Sequence, residues 1–411
     1  QALGSQGRQH IGRAMAKVVD PTQQEEGDAA QWRDEPLGER HADLLAHTDR
    51  PFNAEPPNYA LCEMITPKGL HYRRQHTPVP VVDEEPYRVK VGLEGEELRP
   101  FSLRDLRADY GERDLVVTLM CTGNRRSEFN TDADGETMGL PWKNGSISTA
   151  RWSGCSLAEV LHAAGIDPSI ESRGFRFLTF YGLEDYHVSI PISKAFQKGG
   201  DCMLAWKMNG EPLPRDHGFP LRVIIPGYVG ARSVKWVDRI LAARHEVQGM
   251  HQTGIAYKQL GPNQKSLAAV PKEYIESLPP IDHVPVTSAV TAPEHGSIVA
   301  PGGHLALQGY AYSGAGLAVI RVDVSIDGGR TWSQAVIQRA SETQGVRSGT
   351  AWAWVQWRHE VAVPEDASGT LRICCKAVDD QYNQQPHDPS PIWNLRGILN
   401  TSWGTAEVRV G

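Results

Sequence analysis

VVTLMCTGNRRSEFN, residues 116–130, is the stretch on which the reading of this chain turns. A run of β-formers, Leu115 to Met120, delivers a single thiol, Cys121, to a turn. The turn carries Gly123 and two adjacent arginines, Arg125 and Arg126. Structural cysteines usually sit among apolar neighbours and stay inert. Cys121 instead stands at a strand end beside two fixed positive charges. Such charges favour the thiolate, the form that binds soft metals or attacks electrophiles. On these residues alone a reactive or metal-bound Cys121 stands level with an ordinary strand-end cysteine.

Composition sets the frame. At 411 residues the chain can hold two domains, each with its own core. Apolar content of 40% and charged content of 22% are ordinary for a globular protein. A net charge of −7 argues against general affinity for nucleic acid. The central third nevertheless gathers Arg73, Arg74, Arg125, Arg126, Arg151, Arg215, Arg222 and Arg232, which suggests a small-anion site. The six cysteines show no C-x-x-C spacing, so neither a disulfide framework nor a zinc site is expected. No apolar run is long enough to span a bilayer. The chain starts without Met, the mark of processing or truncation. The expected setting is soluble and intracellular, with peroxisome, mitochondrion and cytosol all open.

Residues 1–50 are rich in Gln, Glu, Asp and Ala and read as a mobile lead-in, with a short helix near Ala42–His47. Strands and helices mix from about 51 to 270, the expected catalytic domain. SLAEVLHAAG, 156–165, reads as a helix with Ser156 as cap, Glu159 closing a capping box and Gly165 as stop. Residues 271–284, with several prolines, read as a linker. From 285 to 411 the texture changes to short alternating strands with a DGG turn at 327–329. That pattern indicates an immunoglobulin-like β-sandwich. The fold class expected is therefore an α+β domain followed by an all-β sandwich. Trp352 and Trp354 fall on one strand face and Trp357 on the other, a surplus that suggests an aromatic surface facing a partner.

CTGNRRSE resembles the molybdenum-binding segment of the sulfite oxidase family. Further blocks match in the same order: GSISTARW at 145–152, MNGEPLPRDHGFPLRVIIPG at 208–227, GARSVKW at 230–236 and IWNLRG at 392–397. The resemblance runs from about Pro51 to Trp403. It implies a molybdenum–molybdopterin cofactor, oxidation of sulfite to sulfate by oxo transfer, and a C-terminal domain that makes a homodimer. By match to the motif, Cys121 is the metal ligand. The pterin and its phosphate would be held by Tyr72, Arg73, Arg74 and His76 of HYRRQH, by His217 and Arg222, and by Ser233, Val234 and Lys235. Glu184 aligns with an acid that holds a pterin nitrogen; aspartate is commoner there, which brings in Asp185. Arg74, Arg126 and Arg396 match three arginines around the substrate, Trp142 a pocket wall, and Tyr257 a tyrosine that couples proton movement to electron transfer. Ala256 replaces an aspartate often found before that tyrosine.

Arg396 separates two relatives within the resemblance. Eukaryotic nitrate reductases look like W-N-L-M-G where this chain has W-N-L-R-G, and tend to carry lysine at Ser127. Both differences favour sulfite. The alternatives are a nitrate reductase molybdenum domain and a non-catalytic scaffold with a vestigial site. The H-P-G-G haem motif of animal members is missing, so no haem is expected in this chain: either an upstream haem domain has been removed or the protein resembles the plant form. The electron acceptor would then be oxygen, or otherwise a cytochrome.

Overall fold

In the computed structural model the described residues are 29–131, 135–197, 201–340 and 351–411. Residues 1–28 of the expected lead-in lie outside them. From Ala29 onward that segment is part of the fold, with 3-10 turns at Ala29–Trp32 and Leu37–Glu39. Arg40 anchors it by ion-pairing with the buried Asp216 at 2.9 Å. The expected helix near Ala42–His47 is instead a strand, Leu45–Asp49, paired antiparallel with Phe52–Glu55. One turn of helix cannot hold itself in water, whereas the hairpin partner supplies ladder bonds.

Two sheets build the first part of the chain. In one, Arg113–Met120 pairs with Ile147–Ser156, which pairs with Met203–Met208; Arg222–Ile224 and Glu211–Pro212 both join Met203–Met208. In the other the order is Arg99–Ser102, Arg88–Leu93, Val237–Ala243, Phe177–Gly182, His187–Pro191. Only Arg88–Leu93 beside Val237–Ala243 is parallel there. A shared apolar core, including Val91, Leu157, Leu161, Phe180, Val223 and Ile240, fills the space between sheets and helices. The helix of 156–165 spans Leu157–Ala163, and Gly165 past its end has φ 77°. Its capping box does not form: Ser156 makes no side-chain cap, because it is still the last residue of a strand. Glu159 meets Arg113 instead. A capping box does form at Ser102 with Asp105.

The last part is a two-sheet sandwich. One sheet runs Thr287–Ala292, His304–Tyr312, Val355–Ala362, Val336–Arg339; the other runs Ile298–Val299, Gly404–Val410, Gly369–Asp379, Val319–Ser325, Ser333–Gln334. Val322, Trp357, Ile373, Cys375 and Val408 form its core. The DGG turn has Gly328 and Gly329 at φ 74° and 91°, the left-handed region that glycine tolerates. The tryptophans correct the expectation of an aromatic partner surface. Trp357 points into the sandwich core, while Trp352 and Trp354 are buried against the first part of the same chain. Their indole N–H groups donate to Asp201 Oδ2 at 2.9 Å and to Met64 O at 3.0 Å.

Candidate active site

Arg113–Met120 ends at Met120 and the chain turns at once. Asn124 N–H donates to Cys121 O at 3.1 Å, and Arg126 N–H to Gly123 O at 3.0 Å. Gly123 is required here, since a Cβ would lie 2.7 Å from Arg126 Nη2 and 2.9 Å from Trp142 Cδ1. Its N–H donates to Cys121 Sγ at 3.4 Å and fixes the sulfur.

The two adjacent arginines part company, which corrects the picture of a thiol between two cations. Arg125, at φ 63°, turns toward the sandwich. It pairs bidentately with Glu128 and donates to the carbonyls of Ser288, Ser402 and Trp403. Arg126 stays at the site, held by Arg396 O at 3.1 Å, Gly397 O at 3.0 Å and Leu140 O at 2.8 Å. Gly397 has φ 55°, and a Cβ on it would meet Arg126 Cγ at 2.6 Å.

Cys121, half-buried, sits where two lobes of one cavity meet. The larger lobe holds about 510 Å³ of empty space. Tyr72, Arg74, His76, Glu184, Arg222, Ser233, Val234, Lys235 and Tyr257 line it with Cys121. The smaller holds about 300 Å³ and is lined by Arg74, Cys121, Thr122, Arg126, Trp142, Ala256, Tyr257 and Arg396. No carboxylate lines this smaller lobe among the described residues.

Two expected cofactor residues stand elsewhere. Arg73 points away from the cavity into Asp216, at 2.8 Å, and binds the carbonyls of Gly69, His71 and Glu39. An extended backbone sends Arg73 and Arg74 to opposite sides, and the buried carboxylate claims the first. His217 lies behind the lobe: its carbonyl accepts from Arg222 Nη1 at 3.2 Å and its ring meets His71 at 4.9 Å. Glu184 rather than Asp185 lines the lobe, for Asp185 is exposed on a turn at φ 58°. Thr122, Tyr186 and Ala231 also line the cavity and were not singled out from sequence. For Tyr186 the signal was its position two residues after Glu184 in YGLEDYHVS.

The electrostatics of the larger lobe suit an anion. Burial lowers the Arg222 guanidinium to about 10, still charged at neutral pH. No carboxylate pairs with it among the described residues; it donates to Ser233 O at 3.2 Å and stacks 5.1 Å over Trp152. Burial also pulls Lys235 down, against Glu184 beside it, while burial raises the Glu184 carboxyl against Lys235, Thr77 and Arg74. A bound phosphate would compensate these buried cations. Gly230 lets the Ala231–Lys235 loop close on the lobe, since a Cβ there would lie 2.5 Å from the Tyr72 hydroxyl. A partly open thiol, a buried guanidinium lacking a carboxylate and a glycine-opened loop together fit a phosphate-bearing dithiolene cofactor.

Residues 76–251 match the family described as oxidoreductase molybdopterin binding domain, and residues 279–411 match the Mo-co oxidoreductase dimerisation domain. The chain is 43% identical to a sulfite oxidase of Gallus gallus, over 89% of this chain and 77% of that protein. It is 37% identical to a sulfite oxidase of Arabidopsis thaliana, over 90% of this chain and 95% of that one. Its fold is shared with the sulfane dehydrogenase SoxCD of Paracoccus pantotrophus, at TM-score 0.71 and 23% identity, covering 94% of this chain and 95% of the other.

Proposed function

The chain belongs to the sulfite oxidase family, and from that premise we propose which of its residues oxidise sulfite to sulfate and how. The observation that carries the assignment is the smaller lobe. Three guanidiniums, Trp142 and Tyr257 converge on Cys121 without a carboxylate among the described lining residues. Sulfite is a compact dianion, and guanidinium groups stay charged when buried and bind oxyanions in planar pairs. Arg74, Arg126 and Arg396 capture it and set its orientation. Trp142 walls the lobe and keeps bulk water from the reacting face.

Cys121 supplies the protein's sulfur ligand to molybdenum. Tyr72, Arg74, His76, Glu184, Arg222 and Ser233 to Lys235 hold the pterin and its phosphate, with His217 backing Arg222. The bound molybdenum cofactor supplies the oxygen-transfer and two-electron chemistry. Tyr257, buried and spanning both lobes, donates a hydrogen bond to the substrate side and hands on a proton. The dimerisation domain at 279–411 pairs two copies of the chain, giving a dimeric mass at micromolar concentration; a monomeric holoenzyme would refute that assembly. The decisive test of function is anaerobic reduction of the cofactor by sulfite, with nitrate offered to the reduced enzyme. Sulfate formation without nitrate turnover is expected, and oxygen and cytochrome c offered separately identify the electron acceptor.

A further inference from the structure

The larger lobe is lined from separate segments of the chain, and its cations point inward only while those segments stay in register. Lys235 lines the lobe and touches two of them. Its Nζ donates to Arg74 O at 3.2 Å, to Gln75 Oε1 and to Asp216 O at 3.2 Å. These acceptors use all the N–H donors of an ammonium and so aim it. They belong to HYRRQH and to RDHG, residues 71–76 and 215–218.

A buried cluster outside the lobe joins the same two segments. The buried Asp216 carboxylate accepts from Arg73 Nε at 2.8 Å and from Gln75 Nε2 at 3.3 Å. Gln75 Nε2 also donates to Asp216 O at 3.0 Å. Arg40 grips both carboxylate oxygens at 2.9 Å, Nε on Oδ2 and Nη2 on Oδ1. Glu35 pairs with Arg40 in turn, so two carboxylates balance two guanidiniums. Arg73 Nη2 donates back to Glu39 O at 2.9 Å. Residues 35–40 make two more ties. Glu35 Oε1 accepts from Val79 N–H at 2.9 Å, and Glu39 Oε2 accepts from Arg215 N–H at 2.8 Å.

Glu35, Arg40 and Asp216 line neither lobe, and no cofactor or substrate assignment uses them. A bidentate guanidinium–carboxylate pair fixes orientation as well as distance. We propose that Arg40 and Asp216 are positioning residues for the cofactor: residues 35–40 latch the two segments together from outside, which keeps Lys235 and Arg222 aimed at its phosphate within. This rests on cofactor binding in the larger lobe. With the latch released, Asp216 O can withdraw from Lys235, and the adjoining His217 O from Arg222 Nη1. Two cations then lose their aim while every lining residue is still present. The latch sets how long the cofactor stays.

The test follows cofactor retention in the full chain, each protein held at the same interval below its own melting temperature. The variants are Arg40→Met, Arg40→Lys and the charge-balanced Glu35→Gln/Arg40→Met. Ser102→Ala, which removes a helix cap outside both lobes, is the control for lost stability. Pterin released on dialysis is read by its fluorescence after oxidation. Arg40→Met and the double variant should release it at least about tenfold faster than wild type, the loss of about one charge-assisted hydrogen bond. Arg40→Lys should recover part of the retention, and Ser102→Ala should match wild type. Wild-type retention in the double variant overturns the latch, and that variant decides alone where Arg40→Met fails to fold. Faster release that Ser102→Ala shares also overturns it, for then Arg40 only stabilises the fold. A wild-type chain that never holds pterin sinks the cofactor reading itself, a result distinct from either.

Discussion

Replacing Cys121 by serine removes a soft sulfur and almost no volume. The groups proposed to hold the phosphate, Arg222, Ser233 and Lys235, line the cavity from other segments, so Cys121→Ser is expected to fold and keep the pterin but lose sulfite turnover. Pterin fluorescence after denaturation and a sulfite assay check both halves; full turnover would refute the ligand assignment. Arg396→Met tests substrate capture. A charge-assisted hydrogen bond is worth about 1.5–3 kcal/mol, and about 1.4 kcal/mol is tenfold in affinity. KM for sulfite should rise about tenfold or more, and an unchanged value would make Arg396 a structural cap. Much of the site was legible in the chain because its residue types suit only a few tasks. What sequence could not supply was direction. Arg73 and Arg74, like Arg125 and Arg126, are neighbours of one chemistry, and in each pair a buried carboxylate or a row of carbonyls decides which turns away.

The hairpin Leu45–Asp49 and Phe52–Glu55 shows the same limit for a whole element. Its sequence is polar and weakly patterned, so nothing local marks it as ordered. It nevertheless shapes the site. Asn53 Oδ1 accepts from Arg74 Nη1 at 3.1 Å, and His47, bonded to Glu55, packs 4.7 Å from the Trp142 ring. Asn53→Ala removes, besides its bonds to Thr48, Pro51 and Gln75, the one to Arg74, worth about 1 kcal/mol to the pose of that guanidinium, so KM for sulfite should rise about fivefold with little change in kcat. Steady-state kinetics would show it; an unchanged KM would mean that Arg74 keeps its pose unaided. Elements with a strong period or an obligatory turn were legible, as in Leu157–Ala163 and the turn at Gly328 and Gly329. The capping box at Ser156 was not, because a strand runs up to that residue and claims its backbone.

Across the whole molecule the two parts are stitched at the metal-ligand loop. Thr118 N–H donates to Trp352 O at 2.9 Å, Leu399 N–H to Thr122 O at 2.7 Å, and Asn124 Nδ2 to Tyr310 Oη at 3.0 Å. Arg125→Met would leave the buried carbonyls of Ser288 and Ser402 without their donor and the part-exposed Glu128 without its partner, at a cost of about 2 kcal/mol or more. Urea unfolding should show that loss, and wild-type stability would demote the contact. Acid sensitivity is also a property of the whole. Burial holds His71 at about 3 and His251 at about 4, both below the ordinary 6.5, and burial with the neighbouring Arg73 holds His217 well below it too. Their folded values are depressed, so the stability they permit is present above pH 6.5 and lost as pH falls from there toward 3. The melting temperature should therefore drop steadily between pH 6.5 and 4, and a flat profile by calorimetry would contradict it. The stitching also governs how the protein is made. A ribosome releases Cys121 long before Arg396, more than half the chain later, and before the strands that clamp the ligand loop. The nascent first part has no finished mouth to its cavity, so cofactor loading must wait for the completed polypeptide.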